Sequence, residues 1–496
     1  MRKYLTVIVV LCVVKLLIHF LANGNYGFHR DELLHLSVSE HLSWGFMEFP
    51  PFIAVVGRLS HLLFDYSLFG VRLFPTLAGM SILVLCCLMA KEMGGDLKSI
   101  VLSGVCFLAF LPFYRNHTLF QPVAFDQLFW VLGFYFLIRY INTNHHQYLL
   151  LLGVTSGLAL MNKYTFLVWG LGLVVGLIFF EHGRVFRERW LYIAGAIALI
   201  VVLPNVIWQY QHNFPILIHH AKLSEIQLSQ QEVSKFGIDQ LKYPFTLAIS
   251  LIGLFALFND ENLKRYRSIG ISVTTIFIVM WIMRSKPYYF FGAYPVLFAV
   301  GAVRVVQLFR YKWIWTYVVV GVLILTTIPF IPDLTPILPV EQHVKWSKRE
   351  VRPDGRVILT NDYADMFGWE EQVKLVDSVY RSLSDEDRKR CVIWAQNYGE
   401  AGAIKILGHK YGLPDPICVH GSFWLWGAGD KKGDVCISIG NEESSINRVF
   451  GEKILVRMIH HKYAIEEEQN IPVYICREPL IDLRETWPRL EKYVFD

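Results

Sequence analysis

Hydrophobic and polar positions divide the chain into two unlike parts. From Tyr4 to about Phe330, apolar stretches of roughly 18–22 residues recur, separated by short polar clusters. Beyond Pro332 the long stretches stop, and charges, glycines and alternating segments mix as in a water-soluble domain. The stretches predict spans at 4–22, 70–90, 99–114, 123–141, 148–161, 165–181, 190–209, 241–258, 268–284, 288–306 and 313–330, about eleven in all. Residues 50–66 read as a helix beside or partly inside the membrane, because Pro50-Pro51 and polar neighbours interrupt the pattern. The expected architecture is a polytopic α-helical membrane protein, with a transmembrane region over 1–335 and a C-terminal soluble α/β domain over 340–496. In that tail, 356–360, 391–395 and 435–439 read as strands, and 364–382, 399–410 and 445–457 as helices, giving a mixed or parallel sheet.

Loop charges orient the drawing. With a cytoplasmic N-terminus, the inside loops carry Lys91 and Lys98, then Arg184, Arg187 and Arg189, then Lys264, Arg265 and Arg267, then Arg304, Arg310 and Lys312. This is the bias of cytoplasmic loops. An odd span count then places the tail outside the cytoplasm, together with two large loops, 23–69 and 210–240. The opening Met-Arg-Lys and its long apolar run read as an uncleaved first span rather than a signal peptide.

Composition agrees with the pattern. Of 496 residues, 54% are hydrophobic and 18% charged, against about 25% charged in an average soluble domain. The net charge of +5 is scattered over loops and forms no base-reading stripe, which argues against nucleic acid as a partner and for contact with membrane lipids. Cys12, Cys86, Cys87 and Cys106 fall in apolar segments. Cys391, Cys418, Cys436 and Cys476 fall in the tail, where an oxidising compartment would allow one or two disulfides.

The polar clusters gather on the outside face, and each has two readings. In Phe28-His29-Arg30-Asp31-Glu32-Leu33, Asp31 and Glu32 suit a catalytic base and its orienting neighbour, or the acidic start of a helix. Glu48, ahead of Pro50-Pro51, suits positioning of an acceptor or a metal, or a plain interfacial turn. Asp126 opens an otherwise apolar span, where an ionised group is expensive without a partner; it too suits acceptor or metal orientation, or a cap. Arg58, Lys163, Arg284 and Lys286 are candidate phosphate partners, against readings as ion pairs or interfacial lysines. Tyr288 and Tyr289 follow Lys286-Pro287 at a span mouth, as a lipid headgroup site or an anchor would require. His212 and His219, with Glu48, are candidate ligands for a divalent metal ion, although their spacing matches no zinc signature. Trp424 and Trp426 suit sugar stacking or core packing.

Arg30-Asp31-Glu32-Leu33, Trp44-Gly45 with Pro50-Pro51, Trp208-Gln209 with Asn213-Phe214-Pro215, and Lys286-Pro287-Tyr288-Tyr289 with Tyr294-Pro295 carry a resemblance. Together they resemble the bacterial integral-membrane glycosyltransferases related to protein O-mannosyltransferases and lipid A aminoarabinose transferases. In the tail, Phe367-Gly368-Trp369-Glu370-Glu371, Asn397-Tyr398-Gly399-Glu400-Ala401-Gly402-Ala403 and Trp424-Leu425-Trp426-Gly427 are similar to C-terminal segments of a subgroup. The resemblance implies a GT-C fold and a polyprenyl-phosphate-linked sugar donor. It also implies an acidic base in the first external loop, which maps to Asp31 or Glu32. The expected activity is transfer to an acceptor hydroxyl of an envelope protein, lipid or glycan, with inversion, at the bacterial inner membrane. Family members differ in metal dependence, so no cofactor is assigned. A lipid-linked sugar transporter would instead favour repeated membrane halves, and no internal repeat is seen; a non-enzymatic envelope assembly protein is the third reading.

Overall fold

Each expected apolar stretch folds as a helix, because backbone N–H and C=O groups in hydrocarbon have no partner except one another. In the computed structural model, which describes residues 2–179, 181–229 and 232–492, six helices are long and apolar enough to cross a membrane. They are Arg2–Ala22, Leu68–Glu92, Pro122–Thr143, Arg189–Gln211, Pro287–Leu308 and Ile314–Asp333. Val233–Gln240 and Pro244–Asn259 meet at 97° and count as a seventh if they form one bent span. Shorter apolar helices occupy Phe52–Phe64, Leu97–Ala109, Gln147–Leu160 and Phe166–Ile178, and Arg267–Ile282 fills the remaining expected stretch. The chain is therefore a multi-pass α-helical membrane protein. Residue 180 of the expected span 165–181, residues 230 and 231 of the loop 210–240, and residues 493–496 of the tail lie outside the described residues.

The helices bury one side and turn apolar side chains outward. Leu5, Val9, Val10, Leu17 and Leu21 on the first helix, and Leu199, Ile200 and Leu203 on Arg189–Gln211, are exposed, as lipid-facing residues are. Inside, small residues set the spacing. A Cβ on Gly253 would come within 2.7 Å of the Gly301 backbone nitrogen, so Pro244–Asn259 and Tyr294–Leu308 approach backbone to backbone.

The tail folds around a five-stranded mixed sheet. Its strands are β1 (Cys391–Ala395), β2 (Pro416–Ile417), β3 (Val435–Ile439), β4 (Phe450–Ile459) and β5 (Ile471–Pro479), in the order β2-β1-β3-β5-β4. β1 runs parallel to β2 and β3, whereas β5 is antiparallel to β3 and β4. Every residue of β1 and β3 is buried, as in strands covered on both faces.

Four expectations about the tail are corrected. Residues 445–457 are not a helix: after the short helix Glu443–Ile446 the chain becomes β4. The run Ile454-Leu455-Val456 favours a strand, and antiparallel pairing with β5 satisfies its backbone while its outer edge carries Lys453 and Arg457. Residues 356–360 form no strand; Val357 makes one isolated bridge to Val351. The helix expected over 364–382 is interrupted where Gly368 takes φ +98° and begins Trp369–Ser382. The cysteines are buried free thiols, including Cys436 and Cys476, which stand in register across β3 and β5.

Glycines seat this domain on the membrane region. The helix Tyr398–Leu407 lies against Arg30–Glu40, and a Cβ on Gly402 would sit 2.8 Å from the Leu33 Cβ. A Cβ on Gly399 would meet the Trp369 ring at 2.7 Å and the Arg30 Cβ at 3.2 Å.

Candidate active site

The helix Arg30–Glu40 begins with a capping box. The His29 side chain accepts from the Asp31 N–H, and Glu32 accepts from the His29 N–H. Adjacent helical residues point about 100° apart, so the two carboxylates part company here. Glu32 turns inward and is fully buried. Its oxygens accept from Arg72 at 2.8 and 3.1 Å and from the Phe120 N–H at 2.9 Å. Burial raises the Glu32 carboxyl, but Arg72 and the backbone donors outweigh it and hold the group below its ordinary value. With its lone pairs engaged and no place in the cavity wall, Glu32 braces the fold. Of the two expected catalytic carboxylates, the structure places Glu32 outside the cavity wall.

Asp31 turns the other way, into a cavity of about 500 Å³. Gln121 donates to one carboxylate oxygen at 2.8 Å and the Tyr398 hydroxyl to the other at 3.1 Å. Burial pushes the Asp31 carboxyl up. The charges of His29, His35 and Arg115, with the Tyr398 hydrogen bond, outweigh that and draw it below the usual aspartate value. Asp31 is thus a carboxylate with one donor on each oxygen and lone pairs still open on both.

Cations face it. Arg30, Arg115, Lys163 and Lys286 line the same cavity and outnumber Asp31 and Glu48. Lys163 lies over the Tyr289 ring, 4.0 Å from its centroid, and 5.4 Å from that of Tyr288. Burial brings the Lys163 ammonium down to about 8, with Asp126 pulling it up and Lys286 and Arg115 pushing it down. Burial likewise lowers Lys286, against the pull of Asp31. Arg30 and Arg115 carry ion pairs to Asp365 and Asp362; Lys163 and Lys286, both lowered by burial, gain most from an anion in the cavity. Leu34, Phe49, Val123, Tyr288 and Tyr289 supply apolar wall beside them.

Asp31, Glu48, Lys163, Lys286, Tyr288, Tyr289 and His219 are therefore brought together around one cavity. Other expected site residues lie elsewhere. Arg58 pairs with Glu40 at 2.9 Å, away from the cavity. Arg284 donates to the Ser229 carbonyl at 2.7 Å and is absent from the cavity wall. Asp126 sits behind that wall, accepting from the Thr165 hydroxyl at 3.0 Å. His212 stacks on Trp208 and donates from Nδ1 to the Trp208 carbonyl at 2.8 Å. Of the expected metal ligands, Glu48 and His219 line the cavity and His212 does not, and both Glu48 oxygens accept from Ser422, one from its N–H and one from its hydroxyl. Among the described residues no group of three or more His, Cys, Asp or Glu side chains is placed to hold a metal ion. Trp424 and Trp487 exchange indole-to-carbonyl hydrogen bonds, and Trp426 stacks on His41; both tryptophans of the tail motif pack rather than face the cavity.

Sequence reasoning missed four partners. His35 and Gln121 line the cavity and were unremarkable polar residues in their segments. Tyr398 and Ser422 come from the tail, hundreds of positions away from the carboxylates they meet. The glycine-spaced segment that contains Tyr398 was the available signal, since a helix rich in small residues announces close packing.

The chain resembles known proteins in part of its sequence and in its fold. A family model described as dolichyl-phosphate-mannose-protein mannosyltransferase matches residues 48–208. The fold is similar to that of ArnT from Cupriavidus metallidurans bound to undecaprenyl phosphate, with a TM-score of 0.66 at 13% identity over 94% of this chain and 97% of that one. It is also similar to the oligosaccharyltransferase AglB from Archaeoglobus fulgidus in complex with an inhibitory peptide and a dolichol-phosphate, with a TM-score of 0.50 at 11% identity over 84% of this chain and 64% of that one. No curated sequence matches the chain.

Proposed function

We propose that this chain, which has the fold of the GT-C membrane glycosyltransferases, transfers a sugar from a polyprenyl-phosphate donor to a hydroxyl of an envelope protein, lipid or glycan. The observation that carries the reading is the pairing, across one cavity, of a held carboxylate at Asp31 with Lys163, Lys286 and Arg115. Asp31 takes the proton of the acceptor hydroxyl as its oxygen bonds to the anomeric carbon. The bond from that carbon to the phosphate oxygen breaks, and its electron pair leaves with the polyprenyl monophosphate. The cations stabilise the charge that grows there. Displacement from the face opposite the phosphate inverts the anomeric centre. Tyr288, Tyr289 and the apolar wall accept the start of the prenyl chain.

We further read Leu97–Ala109, Gln147–Leu160, Phe166–Ile178 and Arg267–Ile282 as spans and the bent pair as one span, for a total of about eleven, with Phe52–Phe64 beside or partly inside the membrane and the N-terminus cytoplasmic. On this reading the cavity and the C-terminal domain face the periplasm of a bacterial inner membrane, which is where the loop charges would put them.

The test is direct. Purified protein, labelled prenyl-phosphate sugars and mixed envelope acceptors are expected to yield a new glycosidic bond. Asp31→Asn should lower the rate at least about 10²-fold, the scale of general-base catalysis, while donor binding persists. Undiminished transfer by folded Asp31→Asn removes Asp31 as the base. Movement of the lipid without a new bond replaces the enzyme with a transporter.

A further inference from the structure

We infer that Tyr398 is a positioning residue for Asp31, so that the C-terminal domain completes the transfer site. The inference rests on the reading of Asp31 as the base and assigns the tail a task within that reaction.

Several contacts of the tail fall on residues of the cavity wall. Tyr398 reaches Asp31 at 3.1 Å, and Ser422 holds Glu48. Asp362 grips Arg115 through two hydrogen bonds, at 2.8 and 3.0 Å, and Asp365 pairs with Arg30 at 2.8 Å and His29 at 3.2 Å. The two acidic clusters of the first external loop are thus each tied to the soluble domain beside the cavity.

Tyr398 is built to hold its place. It is the first residue of its helix, whose N-cap Asn397 forms a capping box with Glu400. Gly399 and Gly402 let that helix seat on Arg30–Glu40 without a Cβ between them. Asp31 is consequently held from two sides, by Gln121 of the membrane region and by Tyr398 of the soluble domain. A carboxylate on a helix start would otherwise rotate about χ1 and χ2. With one donor on each oxygen it keeps one orientation, and its open lone pairs are left to the acceptor hydroxyl. A hydrogen bond to the charged form also keeps the base ionised.

Full-length protein in lipid nanodiscs serves for the test, with pH–rate profiles for wild type, Asp31→Asn and Tyr398→Phe. Tyr398→Phe retains the ring and removes only the donor. It should lower kcat about tenfold, the scale of one hydrogen bond to a charged group, with KM for the prenyl-phosphate donor unchanged. The acid limb of its profile should move to higher pH, because the carboxylate loses a donor. A purely structural tyrosine would not move that limb. If Tyr398→Phe folds poorly, 3-fluorotyrosine at position 398 keeps the shape and donates more strongly, and the acid limb should then move to lower pH. If Asp31→Asn is inactive but the acid limb ignores these changes, the inference is overturned and the base reading stands. If Asp31→Asn is active, the base reading itself is overturned.

Discussion

Two adjacent carboxylates end in opposite surroundings. Asp31 and Glu32 differ by one methylene and one position, yet one faces the cavity and the other is sealed against Arg72. Lys163 shows what the same cavity does to a cation. Its ammonium sits at about 8 because burial removes its water. If it holds the leaving phosphate, transfer should fall as pH rises through about 8, where the charge is lost. Lys163→Met should lower kcat about 10²-fold at neutral pH, the cost of losing one transition-state donor. Lys163→Arg, charged at all accessible pH values, should remove the basic limb. Steady-state rates between pH 6 and 10 decide this, and a basic limb unmoved in Lys163→Arg rejects the assignment.

At the scale of elements, close approach does more than chemistry. The helix Tyr398–Leu407 reaches Arg30–Glu40 only because Gly402 has no side chain facing Leu33. Gly402→Val should push the two helices apart at a cost of about 1–3 kcal/mol, the usual scale of overpacking, and carry Tyr398 away from Asp31. Hydrogen exchange over 398–407 should rise and transfer should drop. Exchange and rate both equal to wild type would show that the helix has room to spare. The misread segment 445–457 belongs to this scale as well. A short apolar run has no decisive period of its own, and pairing with β5 made it a strand. The spans fared better because their length carries information that a short run lacks: each long apolar stretch met a helix, although among the described residues six are long enough by themselves to cross a membrane, or seven if the bent pair forms one span.

For the whole molecule, a buried carboxyl of the C-terminal domain predicts a pH dependence of stability. Glu468 is buried beside Glu400 and accepts from Gln372 and Asn397, the residue that caps the Tyr398 helix. Burial lifts the Glu468 carboxyl to about 7, against the pull of Arg30. A carboxyl raised in the folded state stabilises it fully below its unfolded value near 4.5, and that stabilisation is lost as pH rises through about 7. Thermal unfolding of the full chain should therefore be favoured at pH 8 relative to pH 5, and Glu468→Gln should flatten the difference. A melting difference that survives in Glu468→Gln assigns the effect to other groups.

The pattern along the chain was enough to show which segments are apolar enough to become helices in hydrocarbon, where the long apolar runs end, and that the unusual polar residues cluster between them. Those are local properties: the length of an apolar run and the cost of an unpaired backbone group act on each segment alone. Only the tertiary structure decided which polar residues meet. Arg58 and Arg284 look as suitable for phosphate as Lys163 and Lys286, but helix rotation and packing turn the first two elsewhere. The same holds for Asp31 over Glu32, and for Tyr398, which reaches Asp31 across a separation of 367 positions. No spacing rule links residues so far apart. Close helix packing at Gly399 and Gly402, and ion pairs between the two parts, bring them to one cavity.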